Sequence, residues 1–250
     1  MAEVDLFVSA DTGYSIFIAG SMNPAIHHPA WYRLNKALSE EELRSTAALG
    51  DSQQRVDESS VPQWVLSEGS PTNATICTPA FSQFTAGKIR IACVQQSWTI
   101  TTLDRTLFVR IREVASAVFE ILTHTPVAAY GFNFNFHRKT SERNVGNRLA
   151  EIIDGTGIGI LEGVSGKRSA KLGYTVSAGT RDLNVSIESS VRAADMIFVG
   201  INAHHPIPKS PEVTQFNLTP LLRDSADSDL RDAEEVLAWA MRTFGGNGRQ

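Results

Sequence analysis

This chain of 250 residues has few cysteines, no long apolar run and no excess of positive charge. The two cysteines, Cys77 and Cys93, are too few for a disulfide-rich scaffold or a zinc site built from thiolates. No apolar run approaches the roughly 18–20 residues that a membrane-spanning helix needs, so no membrane partner is predicted. A net charge of −4 excludes a generally basic nucleic-acid-binding protein but not a local basic patch.

Familiar catalytic signatures are also missing. The glycine-rich segment 155–160 has Ile160 where a dinucleotide-binding loop has its third glycine, and the segment follows a predicted helix instead of a strand. A phosphate-binding loop ending at Gly166-Lys167 would need glycine at Leu161 and serine or threonine at Arg168. No Gly-x-Ser-x-Gly or His-Glu-x-x-His motif occurs. The sequence therefore favours binding or assembly over catalysis and predicts no cofactor.

Alternating apolar residues predict several strands. In the segment 131–137, Phe132, Phe134 and Phe136 share one face, while the residues between them face the other way. Further strands are predicted over residues 14–20, 88–94, 98–102 and 194–202. A hairpin is predicted from strands 171–178 and 183–189, joined through residues 179–182.

Apolar residues at helical spacing predict amphipathic helices over residues 104–122, 141–153 and 229–244. A short helix is predicted to begin at Ser39, which forms a capping box with Glu42. Because strands come in consecutive runs punctuated by single helices, the sequence predicts an α+β fold. Its sheet is mainly antiparallel, with the helices packed on one face, in two similar sheet-plus-helix halves.

The organisation expected along the chain is a single compact domain over residues 1–250. Within it, two lobes are predicted, at about 1–155 and 156–250. The polar, turn-rich segment 50–72 is predicted to be a mobile loop. The N-terminal residues lack the layout of a signal peptide, so a cytoplasmic location is expected.

A doubled His-His-Pro motif is the most unusual local feature. Each copy follows a predicted strand that contains or ends in glycine, so the two copies would converge if the strands were neighbours. Imidazoles there, with Asp5 or Asp11 nearby, would suit zinc, nickel or non-haem iron. The alternative is that proline fixes each loop and the adjacent histidines point different ways. The candidate metal ligands are His27, His28, His204 and His205.

Two further sets of polar residues are candidate binding sites. Asn133, Asn135 and His137 share a strand face that either contacts a ligand or partner backbone or simply faces solvent. A basic cluster either contacts phosphate or is a solvated helix face, and nucleic acid is not the favoured partner. The cluster comprises Arg138, Lys139, Arg143, Arg148, Lys167, Arg168 and Lys171.

Several segments together resemble a sporadically distributed family of uncharacterised bacterial proteins. The resemblance rests on residues 23–32, 81–84, 124–127, 131–133 and 198–204. It implies a cytoplasmic bacterial accessory protein encoded in a multi-gene locus, and the sporadic distribution suggests phage defence. It supplies no catalytic residues.

Three functions follow from these observations. The first is a binding or assembly protein with a protein partner or self-association. The second is a metal-dependent enzyme that uses the paired histidines. The third is a nucleic-acid-associated accessory protein that uses the basic cluster.

Overall fold

The predicted alternation of apolar and small polar residues produces a sheet of nine antiparallel strands in the computed structural model of the protein. The structure describes residues 13–44, 76–78, 80–141, 143–154, 170–207 and 217–244. The predicted mobile loop 50–72 lies outside the described residues. Within the described ranges, no helix has the length and apolar character that crossing a bilayer requires.

The described residues form nine strands and five α-helices. The strands are β1 (Gly13–Gly20), β2 (Ile76–Cys77), β3 (Phe81–Ala86), β4 (Ile89–Val94), β5 (Ser97–Thr102), β6 (Val127–Lys139), β7 (Lys171–Ala178), β8 (Arg181–Ser189) and β9 (Met196–Pro206). The helices are α1 (Pro29–Leu34), α2 (Glu40–Arg44), α3 (Phe108–Ile121), α4 (Val145–Asp154) and α5 (Thr219–Phe244). The order of strands across the sheet is β2-β3-β4-β5-β1-β6-β9-β8-β7.

The sheet consists of two halves with the same order of elements. In each half, a first strand leads through helix to an antiparallel meander and then to a long helix. The first strand returns to pair with the last strand of its meander, β1 with β5 and β6 with β9. β1 and β6 pair antiparallel at the centre, so a pseudo-two-fold axis passes between them. The predicted α+β fold with two similar halves is confirmed, and the halves divide between Ile121 and Val127, not near residue 155.

All five helices contribute to one core on one face of the sheet. From α3, the Phe108 ring lies 5.6 Å from that of Phe134, and the Phe119 ring lies 5.5 Å from that of Trp98. Trp98 Nε1 also donates to the hydroxyl of Tyr32 on α1, at 2.8 Å. α5 packs along α3, and α2 is tied to α3 by an ion pair. α4 packs beside β8 and adds buried side chains to the same core.

Three predicted helices begin elsewhere than expected. A 3-10 turn precedes α3, because Asp104 accepts hydrogen bonds from the backbone and hydroxyl of Thr106 and delays the regular helix to Phe108. α5 starts ten residues before the predicted Asp229, at Thr219, whose backbone N–H is capped by Asn217 at 3.0 Å. The helical turns before residue 229 were not predicted, because that part of the sequence is rich in polar residues. α4 begins at Val145, four residues after the predicted start.

Two predicted strand boundaries also need correction. β9 continues past Asn202 to Pro206, because it pairs with β6 on one side and β8 on the other. The hairpin between β7 and β8 closes through two residues instead of four, with Ala178 opposite Arg181. Gly179 adopts a φ of 63°, which suits the first central position of a type II′ turn.

The three phenylalanines of β6 are buried as predicted, and Phe134 has no exposed surface. We expect Phe134→Ala to lower the free energy of unfolding by about 3–5 kcal/mol, because it leaves a cavity between β6 and α3. Chemical denaturation measures this. Phe17→Ala is the control, since Phe17 is 36 % exposed on the other face and should cost far less. Equal losses for both variants would contradict the assignment of faces.

A second prediction concerns the capping box of α2, which forms as expected between Ser39 and Glu42. Arg110 donates two hydrogen bonds to the Glu42 carboxylate, at 2.8 and 2.9 Å, and these lower the pKa of Glu42 from 4.5 to about 2. The stabilisation is therefore complete above pH 4.5 and lost as the pH falls towards about 2.

We expect the difference in unfolding free energy between the native protein and Glu42→Gln to shrink across that range. Denaturation should be measured from neutral pH down to the lowest pH at which both proteins fold. Glu113→Gln is the control, because Glu113 lies 3.5 Å from the same arginine but is largely exposed. A difference for Glu42→Gln that does not change with pH would show that the carboxylate charge is not what stabilises α2.

Candidate binding surface

The face of the sheet opposite the helices, here called the open face, carries a continuous row of polar side chains. In the spatial order of the sheet, every strand except the edge strand β2 contributes one residue to this row. These residues lie directly opposite one another, so the row crosses eight strands. The side chains are half-buried by their neighbours, except the exposed one at the β7 edge. In spatial order, this polar row is Thr85, Arg90, Thr101, Ser15, Asn133, Asn202, Asn184 and Thr175.

The second half of the polar row is a chain of side-chain hydrogen bonds. Thr175 donates to Asn184 at 2.7 Å, Asn184 donates to Asn202 at 3.2 Å, and Asn202 donates to Asn133 at 2.6 Å. Each amide is thereby held in one orientation by its cross-strand neighbour. The orientation of these four side chains is consequently fixed within the protein itself, and groups fixed in this way lose little entropy when they bind.

Two glycines leave positions without a side chain beside the asparagines of the open face. A Cβ atom at Gly131 would lie 2.8 Å from the carbonyl oxygen of Ala203, closer than side chains tolerate. A Cβ atom at Gly200 would lie 3.0 Å from the ring of Phe198 and 3.4 Å from the amide oxygen of Asn135. Asn135, one of the predicted binding residues, therefore has no side chain opposite it on β9.

One aromatic side chain stands near the middle of this polar surface. Phe17 lies on the central strand β1, opposite Thr99 on one side and Gly131 on the other, and it is 36 % exposed. An exposed aromatic ring surrounded by polar groups is the usual composition of the centre of a protein–protein interface. Phe17 was not among the residues that the sequence analysis selected, although its position among alternating strand residues indicates an outward side chain.

His137, the third member of the predicted strand-face set, is separated from the other two by burial. It is 5 % exposed, its Nδ1 lies 2.7 Å from the hydroxyl of Ser190, and its ring lies 4.9 Å from that of Phe198. Asn133 and Asn135 therefore belong to the open face, whereas His137 joins the end of β6 to the chain that follows β8.

The predicted basic cluster does not form one strip among the described residues. Lys139 lies 3.5 Å from Asp195, and Arg148 lies 3.1 Å from Glu151. The guanidinium of Arg138 stacks on the ring of Phe136 at 5.4 Å. The remaining members are the exposed Arg143, Lys171, which lies 3.6 Å from Glu188, and Lys167 and Arg168, which lie outside the described residues.

The first pair of candidate metal ligands has two different environments. His27 is buried, and its Nε2 lies 3.4 Å from the sulfur of Cys93, while its backbone oxygen accepts from Cys77 at 3.2 Å. Burial lowers the pKa of His27 and raises that of the Cys93 thiol to about 12, so this pair is not an activated thiolate. His28 instead caps α1, where its Nδ1 accepts from the N–H of Ala30 at 3.1 Å.

The second pair lies within β9, not in a loop, so its members point to opposite faces. His204 is on the open face and His205 is in the core. Cys93 on β4, which contacts His27, is four strands from β9, about 19 Å at normal strand spacing. The structure does not bring the four histidines together. Among the described residues, no group of three or more histidine, cysteine or acidic side chains has a metal-binding arrangement.

A buried ionic network that the sequence analysis missed anchors α5 to the sheet. Asp229 is completely buried, accepts from the guanidinium of Arg181 on β8, and lies 2.7 Å from Nε2 of His205 on β9. Arg181 also donates to Asp232 at 2.6 Å. Burial alone would lower the pKa of Arg181, but its hydrogen bonds to both carboxylates raise it above the ordinary value.

The same network is packed against an aromatic ring and a cleft. Tyr130 stacks on His205 with ring centroids 4.5 Å apart and an angle of 4° between the ring planes. A cleft of about 390 Å³ lies beside Tyr130 and Arg181. Arg181 is already paired with two carboxylates, and the cleft is also lined by the exposed Arg231, whose Nε lies 3.8 Å from Asp232. Asp229 lies at helical spacing from Leu222 and Ala226, on the buried side of α5. That spacing is the feature of the sequence from which its burial could have been predicted.

Comparison of the chain with models of protein families, with curated proteins and with solved structures gives no match. The geometry of this surface therefore has to be interpreted from its own residues.

We expect Asp229→Ala to lower the free energy of unfolding by about 3–5 kcal/mol, because it leaves Arg181 and His205 without their shared partner. Denaturation followed by circular dichroism measures the change. Asp232→Ala is the matched control: Asp232 binds the same arginine but keeps 24 % of its side chain exposed, so its loss should cost about 1 kcal/mol or less. A smaller loss for Asp229→Ala than for Asp232→Ala would contradict the anchoring role.

Proposed function

We propose that this protein is a non-catalytic binding or assembly component, and that the open face is the surface it presents to a protein partner. The observation that carries the proposal is the polar row, which crosses eight strands and whose second half, from Asn133 to Thr175, is ordered by hydrogen bonds between its own side chains. The resemblance to a sporadic bacterial family suggests the setting: a cytoplasmic multi-gene system, with phage defence as one role.

The chemistry of the open face favours a protein over a small molecule. The polar row extends across eight strands, whereas small-molecule sites are usually concave and mostly apolar. It offers amide and hydroxyl groups that both donate and accept, and these match the backbone and polar side chains of another protein. Phe17 supplies the apolar contact near the centre that typically contributes most of the binding energy.

The charges on the open face argue against nucleic acid as the partner. Binding to phosphates depends on unpaired lysine and arginine side chains. On this face, Lys171 is paired with Glu188 and Lys139 with Asp195, and Asp182 adds a negative charge beside Ser177. Arg90 in the polar row contributes one cation at the far side of the sheet from these pairs. The positive and negative charges on the open face nearly cancel, which favours a partner whose contacting surface is also nearly neutral.

Site-specific photo-crosslinking in the native host tests the proposal. Phe17 is replaced by the photoreactive analogue p-benzoylphenylalanine, which preserves an aromatic ring at the centre of the open face. Val109 on α3 receives the same analogue as a control, because it is 47 % exposed on the helical side. We expect irradiation to produce a discrete, protease-sensitive adduct from position 17 and none of that size from position 109.

Two further variants connect that adduct to the polar row. Asn202→Ala removes the central amide of the chain and should reduce the yield of adduct, whereas Ser228→Ala on the helical side should leave it unchanged. Three outcomes would overturn the proposal: no adduct at position 17, an adduct removed by nuclease, or the same adduct from both positions.

A further inference from the structure

The edge strand β7 is exposed along nearly its whole length. Seven of its eight residues are exposed, and Leu172 is half-buried. Tyr174 is 42 % exposed and Val176 is 48 % exposed, and both lie on the side of the sheet that faces the helix layer. β7 is the last strand in the described sheet, whereas the opposite edge ends in the two-residue strand β2. A long, exposed edge with apolar side chains is a template for pairing with another strand.

The turn between β7 and β8 determines which backbone groups face outward. In a two-residue hairpin, the carbonyl of Ala178 accepts from the N–H of Arg181, so the backbone groups of Ala178 point towards β8. Backbone direction alternates along a strand, so Val176 and Tyr174 also bond to β8. The N–H and carbonyl groups of Gly173, Thr175 and Ser177 consequently point away from the sheet and are the groups that a further strand would meet.

The sequence of this edge is complementary to itself in an antiparallel arrangement. With Thr175 placed opposite the Thr175 of a second copy, Gly173 falls opposite Ser177, and about six backbone hydrogen bonds join the strands. Tyr174 then lies opposite Val176 twice, and pairs of an aromatic with a β-branched residue stabilise sheets. Lys171 falls opposite Gly179, so no two like charges of β7 face each other.

We propose that β7 pairs antiparallel with the β7 of a second copy of this chain, centred on Thr175, to form one continuous sheet. The interface is isologous and closes as a dimer. The four exposed side chains, two tyrosines and two valines, cover one another on the helical side. On the other side the two polar rows meet end to end at Thr175. This pairing does not depend on the function proposed for the open face.

Variants that place a charge at Thr175, on the two-fold axis of the proposed dimer, test both the interface and its register. We expect the native protein to sediment as a dimer that dissociates on dilution within a range of about 1–100 µM. Thr175→Glu and Thr175→Lys each place two like charges opposite each other, and each should raise the dissociation constant at least about tenfold. An equimolar mixture of the two variants should restore dimers, because unlike charges then face each other.

Thr85→Glu is the matched control, since Thr85 lies in the same polar row at the far end of the sheet and should not change the dissociation constant. The restored dimer also shows that the Thr175 variants are folded, so weak association cannot be attributed to misfolding. The proposal is overturned if the native protein is monomeric throughout this range, if Thr175→Glu leaves association unchanged, or if the mixture remains monomeric.

Discussion

The antiparallel pairing of β1 with β6 is the interaction on which the rest of the molecule depends. It joins two halves, each of which closes its own sheet by returning its first strand to the last strand of its meander. Because these first strands meet at the centre, α3 and α5 emerge on the same side and pack against each other. One face of the sheet is thus covered by helices, and the polar row occupies the other.

The two faces differ in the interactions that stabilise them. On the helical side, aromatic rings interdigitate around Phe108 and Phe134, and one buried carboxylate, Asp229, fixes α5 to β8 and β9. On the open side, hydrogen bonds between side chains replace apolar packing. An amide chain of this kind holds polar side chains in order on a sheet face against which none of the described helices packs.

Much of this architecture was predictable from the sequence, because alternation and helical spacing are local properties. The strand face of Phe132 and Phe134, the capping box at Ser39 and the α+β class all follow from short segments and are confirmed. The candidate surface was predictable only in part. Asn133 and Asn135 were identified from their own strand, but Asn202 and Asn184, which continue the hydrogen-bond chain from Asn133, come from strands whose register the sequence does not specify.

The features that were missed depend on contacts between distant segments. From the sequence, Asp229 was predicted as the first residue of the last helix, and only the approach of Arg181 and His205 makes a buried charge acceptable in the middle of α5. For the paired histidines, the local sequence suggested a shared site that the structure does not form. The two His-His-Pro motifs have similar sequences, but one pair lies at the start of α1 and the other lies within β9. Equal motifs do not imply a common site when four strand spacings separate them.

The central claim is that the open face is accessible in the isolated protein and covered by a partner in the cell. Thiol labelling of Ser15→Cys, in a background with Cys77→Ser, tests it directly, because Ser15 lies in the polar row on the central strand β1. The account predicts prompt reaction with a maleimide in the purified protein and at least about tenfold slower reaction in cells of the native host, since a bound partner excludes the reagent. Equal rates in both settings, or no reaction in the purified protein, would contradict it.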